Sequence, residues 1–327
     1  MDAAAQFSRA LVATALNEIH SRIDAVGAAV RLAASPSQLD TPMLRLAALM
    51  LALLIAPILG LAQAPEGALK RIKSTKSVAI AYRSDAAPFS FVDESKQPVG
   101  FSIDLCRRVV AAIAQQLAVD GMQIKWVPVN TQDRMEAVEK GRADMECGST
   151  SVTLSRMKRV NFSTYTFVDG TGLLIKNDSG VRQLTDLGGK KIGVTAGTTN
   201  EKALQDALKR VVVNATVVQV KTRDEGMAMF EAGQIDAFAS DRTLLLAMGL
   251  KTKDPKALAI LQEDLSFEPY AIVLPRGDDD MRLAVNSALA QIYRSGNIVE
   301  IFRRWFGSLG KPGVMLEATY ILGGIPE

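Results

Sequence analysis

Histidine is almost missing from this chain. His20 is the only one among 327 residues, so nothing beyond it carries an imidazole. That removes Ser-His-Asp and Cys-His nucleophile systems, histidine general bases and histidine metal sites together. Cysteine is nearly as scarce. Cys106 and Cys147 are the whole complement, too few for a thiolate zinc site and with no partner base to make either thiol reactive. No Gly/Ser linker or low-complexity tract interrupts the chain, so separate compact units would have to be joined by strands. Charge is weak as well: a formal +3 is too small and too dispersed to suggest a nucleic-acid partner. Enzyme chemistry is confined to carboxylates, lysines and tyrosines, and the balance tilts towards binding.

What is present begins at Met43. A short basic start (Arg45) leads into an apolar run broken by Pro57 and Gly60, then a small-residue site at Ala62-Gln63-Ala64. These are the three regions of a secretory signal peptide, and the run is short against the roughly 20 residues that span a membrane. Met43 is therefore expected as the true start, with 43–64 removed and residues 1–42 a non-native extension. A helical arm is the alternative for that extension, since Phe7, Leu11, Ala15 and Ile19 share helical spacing. An uncleaved anchor at 44–62 is the alternative for the run itself. Residues 1–64 hold four acidic and four basic groups, so the net charge belongs to the rest. That remainder is long enough for two units of about 100–150 residues.

The most informative stretch runs from Glu146-Cys147-Gly148-Ser149-Thr150-Ser151 to Arg156. An alternating strand over Ala143–Cys147 leads into a hydroxyl-rich turn, with an arginine five residues past Ser151. Hydroxyls and N–H groups at a strand end, with a planar guanidinium fork beside them, suit capture of a small carboxylate. Cys106 shares an apolar helical face with Ile103, Val110, Ile113 and Leu117. It either packs there as a free thiol or pairs with Cys147 in an oxidising compartment.

A loose repeat runs through the chain. Val129-Asn130-Thr131-Gln132-Asp133-Arg134 leads to Gly141 and Asp144, as Val220-Lys221-Thr222-Arg223-Asp224 leads to Gly233 and Asp236. Both read strand, Thr-initiated helix, glycine stop, strand. Strands at Val78–Tyr82 and Lys191–Thr195 each precede a helix, the first over Ile103–Leu117 with Ser102 as its cap, the second from Thr199 to about Lys209. This alternation predicts α/β lobes with largely parallel sheets. Sites in such sheets open at the carboxyl ends of strands, where Arg83, Ser149 and Thr195 fall.

Phe89-Ser90-Phe91, Gly100-Phe101-Ser102-Ile103-Asp104-Leu105, Gly141-Arg142-Ala143-Asp144, Thr153-Leu154-Ser155-Arg156, Gly197-Thr198-Thr199, Gly233-Gln234-Ile235-Asp236 and Arg304-Trp305-Phe306 stand in order along the chain. Together they resemble the periplasmic polar amino-acid-binding proteins of ABC importers (solute-binding protein family 3), over roughly 77–307. Tyr82-Arg83-Ser84, Asn130 to Arg134 and Glu146 to Thr150 most resemble the glutamate/aspartate-binding branch. The resemblance implies a two-lobed type II periplasmic-binding fold with two crossing strands, near Asp169–Gly172 and Ser266–Tyr270. It places 65–170 and 268–307 in one lobe, 171–267 in the other, and 308–327 in a tail.

By family position, Arg156 takes the α-carboxylate of an amino acid, with Ser151 and Thr198, and Asp241 takes the ammonium. Asp241 is also placed to cap the following helix. Arg83 and Arg134 are implied to hold a distal carboxylate, with Thr131 and Ser149 completing the hydrogen bonds. The ligand is then glutamate or aspartate. Arg223 stands where related sequences carry a histidine near the ligand. It either adds charge at the distal group, broadens the preference to other anions, or points to solvent. The implied partner is an inner-membrane ABC permease that recognises a closed monomer. No cofactor, metal or catalytic residue is required.

Two other classes share the fold. A periplasmic dehydratase for prephenate- or arogenate-like acids would need a carboxylic acid in the cleft, and Glu146 and Glu268 are the candidates. A receptor sensor module would need a membrane segment beyond Trp305. From the signal reading, the exported protein is predicted to begin at Pro65 in the periplasm. Mass spectrometry of the exported chain checks this, and an intact 1–64 segment refutes it.

Overall fold

The computed structural model describes residues 67–307 and 310–326, so the extension and the signal-like run lie outside the described residues. The first elements are α1 (Gly67–Thr75), β1 (Ser77–Arg83), β2 (Asp85–Ala86), β3 (Ser90–Val92), β4 (Pro98–Val99) and α2 (Phe101–Gln116). Then come β5 (Gln123–Val129), α3 (Arg134–Glu139), β6 (Met145–Glu146), α4 (Leu154–Met157) and β7 (Asn161–Lys176). The middle of the chain forms β8 (Lys191–Thr195), α5 (Thr199–Arg210), β9 (Thr216–Val220), α6 (Arg223–Glu231), β10 (Ala237–Asp241) and α7 (Arg242–Gly249). The last are β11 (Leu258–Ile260), β12 (Phe267–Leu274), α8 (Asp279–Arg294), α9 (Asn297–Phe306) and α10 (Val314–Gly323).

One hydrogen-bonded path runs β5-β1-β6-β12-β7-β10-β8-β9, with β11 added against β7. The outer strands of each half are parallel: β5, β1 and β6 on one side, β10, β8 and β9 on the other. Between them β12 and β7 run antiparallel to each other, and β7 is antiparallel to β10. Sixteen-residue β7 belongs to both halves. Through Gly170 it pairs with β12, and from Thr171 onwards with β10. The two lobes are thus joined by β7 and β12.

Period-2 alternation packs each half on both faces. Val78 and Ile80 enter the larger first-lobe core, while Ala81 faces a smaller cluster with Val129, Ala137 and Phe162. In the second lobe Leu173 and Ile175 pack on one face and Leu174 on the other. Phe89 anchors the first lobe beneath both crossing strands. Its ring lies 4.8 Å from Phe167 of β7, 5.1 Å from Tyr270 of β12 and 5.5 Å from Phe306 of α9.

Several local expectations change. The strand expected over Ala143–Cys147 is only Met145–Glu146, because the chain leaves the sheet as it enters the turn. Ser102 is not a helix cap: α2 begins two residues earlier than expected, at Phe101 after Gly100, and the Ser102 hydroxyl donates to the Gly148 carbonyl at 2.7 Å. The expected tail carries α10, whose Leu316 and Tyr320 are buried in the first-lobe core. The Tyr320 hydroxyl donates to the Thr166 carbonyl at 3.4 Å.

Cys106 and Cys147 form a disulfide. Cys106 therefore packs on its apolar face and pairs at once. Together with the Ser102 bond, the bridge fastens the hydroxyl turn to α2. It closes a loop of 41 residues in sequence, which in the chain-entropy account corresponds to about 4 kcal/mol. The Cys106→Ala/Cys147→Ala protein is expected to lose about 2–4 kcal/mol of stability. Thermal melts with and without reductant check this: reduction should lower the wild-type midpoint and leave the double variant unmoved.

Candidate functional site

Four arginines converge at the strand ends between the lobes. Arg83, Arg134, Arg156 and Arg223 are each between 2% and 9% exposed. Each is placed by a different device. Arg83 ends β1, with its backbone N–H donating to the Ser90 hydroxyl at 2.9 Å and its carbonyl accepting from that hydroxyl at 3.2 Å. Arg134 opens α3. Arg156 lies on one-turn α4, capped by Thr153, and folds back to donate from Nη1 to the Ser151 carbonyl at 2.7 Å. Arg223 opens α6 behind its cap Thr222.

The hydroxyl turn is laced to β12. Val152 N–H donates to the Pro269 carbonyl at 2.8 Å and Ala271 N–H to the Thr150 carbonyl at 3.2 Å. At its start Gly148 permits a close approach: a Cβ there would lie 2.2 Å from Glu146 Oε1 and 3.3 Å from Arg83 Cγ. Thr131 departs from its counterpart Thr222. Thr222 caps α6, whereas α3 starts three residues after Thr131, so the Thr131 hydroxyl is left unused.

The arginines differ in what neutralises them. Arg83 Nη2 donates to both Asp85 oxygens at 2.5 and 2.8 Å. Arg223 lies 3.6 Å from Asp241 and 3.8 Å from Asp85, so its guanidinium is buried between carboxylates and does not point to solvent. Arg134 and Arg156 have no carboxylate within ion-pair distance among the described residues. Arg134 donates from Nε to the Thr150 hydroxyl at 2.9 Å and from Nη1 to the Thr131 carbonyl. Burial first, then the charges of Arg156 and Arg83, lower its pKa to about 9. Burial likewise lowers that of Arg156, against Glu268 and Asp241.

Unpaired polar atoms gather around these arginines. Arg83 Nε, Thr131 Oγ1, Ser149 Oγ, Thr195 Oγ1 and Arg223 Nη1 are buried without a hydrogen-bond partner. Glu146 ends β6, and burial pushes its carboxyl up while Arg134, the Thr150 hydroxyl, Arg83 and Arg156 pull it down. Buried polar groups are nearly always paired, so such a cluster marks a place built for something polar.

The second lobe supplies the opposite wall. Asp241 sits at the N-cap position of α7 without a side-chain cap bond; its carboxylate instead accepts from Asn200 Nδ2 at 3.2 Å. Thr198 is spent locally, donating to the Thr195 carbonyl at 2.7 Å and accepting from Glu201 N–H at 3.2 Å. Its neighbour Thr199 reaches across, donating to Glu268 Oε2 at 2.6 Å and lying 3.3 Å from the Ser151 hydroxyl. Gln132 also crosses, to the Ala196 carbonyl at 3.4 Å. The lobes touch.

Of the residues singled out from sequence, Arg83, Arg223 and Asp241 are linked by ion-pair distances through Asp85, Arg134 and Arg156 lie near them, and Thr198 offers no free hydroxyl. Sequence reasoning passed over Asp85 and Asp169. Asp169 had a signal: a charged residue inside a sixteen-residue strand. Its carboxylate accepts from Gly170 N–H at 2.9 Å, Thr243 N–H at 3.2 Å and the Tyr270 hydroxyl at 3.3 Å.

Two lobes of this topology, with a polar site at the strand ends between them, are the architecture of type II periplasmic binding proteins, which hold a small solute by closing over it. Residues 78–308 match the bacterial extracellular solute-binding proteins, family 3, and the chain belongs to that family. The L-glutamate/L-aspartate-binding protein of Pseudomonas aeruginosa is 34% identical over 275 residues, 83% of this chain and 88% of that protein. The glutamate/aspartate import solute-binding protein of Escherichia coli is 30% identical, covering 76% of this chain and 84% of that protein. Among solved structures, an ancestral arginine-binding protein bound to arginine superposes with a TM-score of 0.63 at 28% identity, over 71% of this chain and 99% of the other.

One titration follows from the site. Burial, then the Asp241 charge, raises the Asp169 pKa from 3.8 to about 7. Between those values the folded state holds a proton that the unfolded state has lost, so this contribution to stability falls as pH rises from about 4 to 7 and levels above. Asp169→Asn mimics the protonated form. Its stability relative to wild type should climb over that window, as read by denaturant midpoints across pH; a flat difference would refute the assignment.

Proposed function

We propose that this protein is an extracytoplasmic solute-binding protein that captures an acidic amino acid, glutamate or aspartate, and hands it to an ABC permease. The observation that carries the reading is the pair Arg134 and Arg156, buried and without a carboxylate partner among the described residues. A buried guanidinium lacking an anion is costly, and a dicarboxylic amino acid supplies two. Arg156, with Ser151 and backbone N–H groups at the start of α5, takes the α-carboxylate. Asp241 takes the ammonium. Arg134, with Arg83 beside it, holds the distal carboxylate, and the free hydroxyls of Thr131, Ser149 and Thr195 fill the remaining positions.

The protein acts by binding and release rather than turnover. Ligand bridges the lobes, 65–170 with 268–307 against 171–267, and favours the closed form that the permease reads. A monomer in the periplasm, exported by the signal at Met43–Ala64, meets these requirements. The relatives' names support the acidic ligand, and the arginine-bound neighbour shows that the fold also serves a basic one.

Calorimetry against a panel of amino acids tests the reading. Glutamate or aspartate should bind far more tightly than its near-isosteric amide. Arg156→Ala and Asp241→Ala should weaken all amino-acid ligands alike, by roughly 2–5 kcal/mol, since each removes a buried charge contact to a shared α-group. Arg134→Gln should weaken glutamate much more than glutamine. Tight glutamine binding by wild type, with Arg134 replaceable at no loss, would refute the acidic ligand.

A further inference from the structure

We propose that Asp85 is a built-in counter-ion that sets the charge preference of the site, masking Arg83 from one lobe and Arg223 from the other. The inference rests on the amino-acid-binding reading above and deepens it. Asp85 opens β2, held by pairing with Phe91 of β3, and Ser90 ties the same hairpin to the Arg83 backbone. Its carboxylate is fixed by two bonds from Arg83 Nη2, at 2.5 and 2.8 Å. Across the cleft, Arg223 Nη1 lies 3.8 Å away, and Arg223 Nη2 is 3.6 Å from Asp241.

These four side chains form an alternating row: Arg83, Asp85, Arg223, Asp241. Every cation in it has an anion from the protein itself. Arg134 and Arg156 stand outside the row with no carboxylate within ion-pair distance among the described residues, and feel Glu146, Glu268 and Asp241 only from further off. A distal carboxylate held by Arg134 with Arg83 beside it therefore meets one guanidinium without a close anion, Arg134, while Arg83 is already partnered by Asp85. Asp85 already occupies the anionic place between Arg83 and Arg223 that a ligand would otherwise contend for. The extra charge of Arg223 is absorbed by Asp85 and Asp241 and is withheld from the ligand.

The test is the ratio of glutamate to glutamine affinity, measured calorimetrically on purified wild type and two variants. Asp85→Asn keeps the side-chain shape and unmasks both arginines, so the ratio should rise by about tenfold or more, as removing one member of a charge row shifts a charged ligand. Arg223→Gln should move it the other way, because Asp85 and Asp241 then repel the acid. An unchanged ratio in both variants, or a fall in Asp85→Asn, overturns the proposal. Should Asp85→Asn fail to fold, the sign of the Arg223→Gln shift decides. A wild type that prefers a neutral or basic amino acid would sink the acidic-ligand reading alone, and the shift of Asp85→Asn towards glutamate would still decide the role of Asp85.

Discussion

Charge confined away from bulk solvent governs this site. Four guanidiniums meet at the strand ends, each nearly removed from solvent, where attraction and repulsion are felt far more strongly than at a surface. Such a cluster is tolerable only if anions share the space. The protein provides some of them through Asp85 and Asp241 and withholds others at Arg134 and Arg156. The unequal provision gives the site its direction. A region with no internal anions would repel its own halves.

Scaffolding around the site serves this arrangement. The turn carrying Ser149 and Ser151 is fastened on three sides: by the disulfide, by Ser102 and by the β12 backbone. Hydroxyls on a turn fastened this way are ordered by the fold itself, and such preorganisation lowers the entropic cost of any binding they take part in. Across the cleft Thr198 caps α5, leaving Thr195 free of that duty. The two lobes reach the same result differently, since Thr131 is free because its helix starts late.

Much of this was legible from residue order. Strands alternating with helices, and polar residues directly after apolar runs, identify α/β lobes and the strand ends where Arg83, Ser149 and Thr195 stand. The illegible parts depend on tertiary placement. Asp85 looks like a turn residue two positions beyond Arg83; only the hairpin and the approach of the second lobe make it a counter-ion. Ser102 has the spacing of a cap, and its true partner lies 46 residues away. The bond between Cys106 and Cys147 was equally open, because an apolar helix face accommodates a free thiol as well as a bridged one. The C-terminal helix was missed because its burial depends on Thr166 and its neighbours in β7.

The crossing strands also impose an order of assembly. The second lobe is almost one continuous segment, from Thr171 to the residues before β12, and its strands pair locally. The first lobe is split: β6 needs β12, and its core needs α8, α9 and α10 from the far end of the chain. Contacts of such long sequence separation form late. A chain emerging N-terminus first therefore cannot complete its leading lobe until the last sixty or so residues follow.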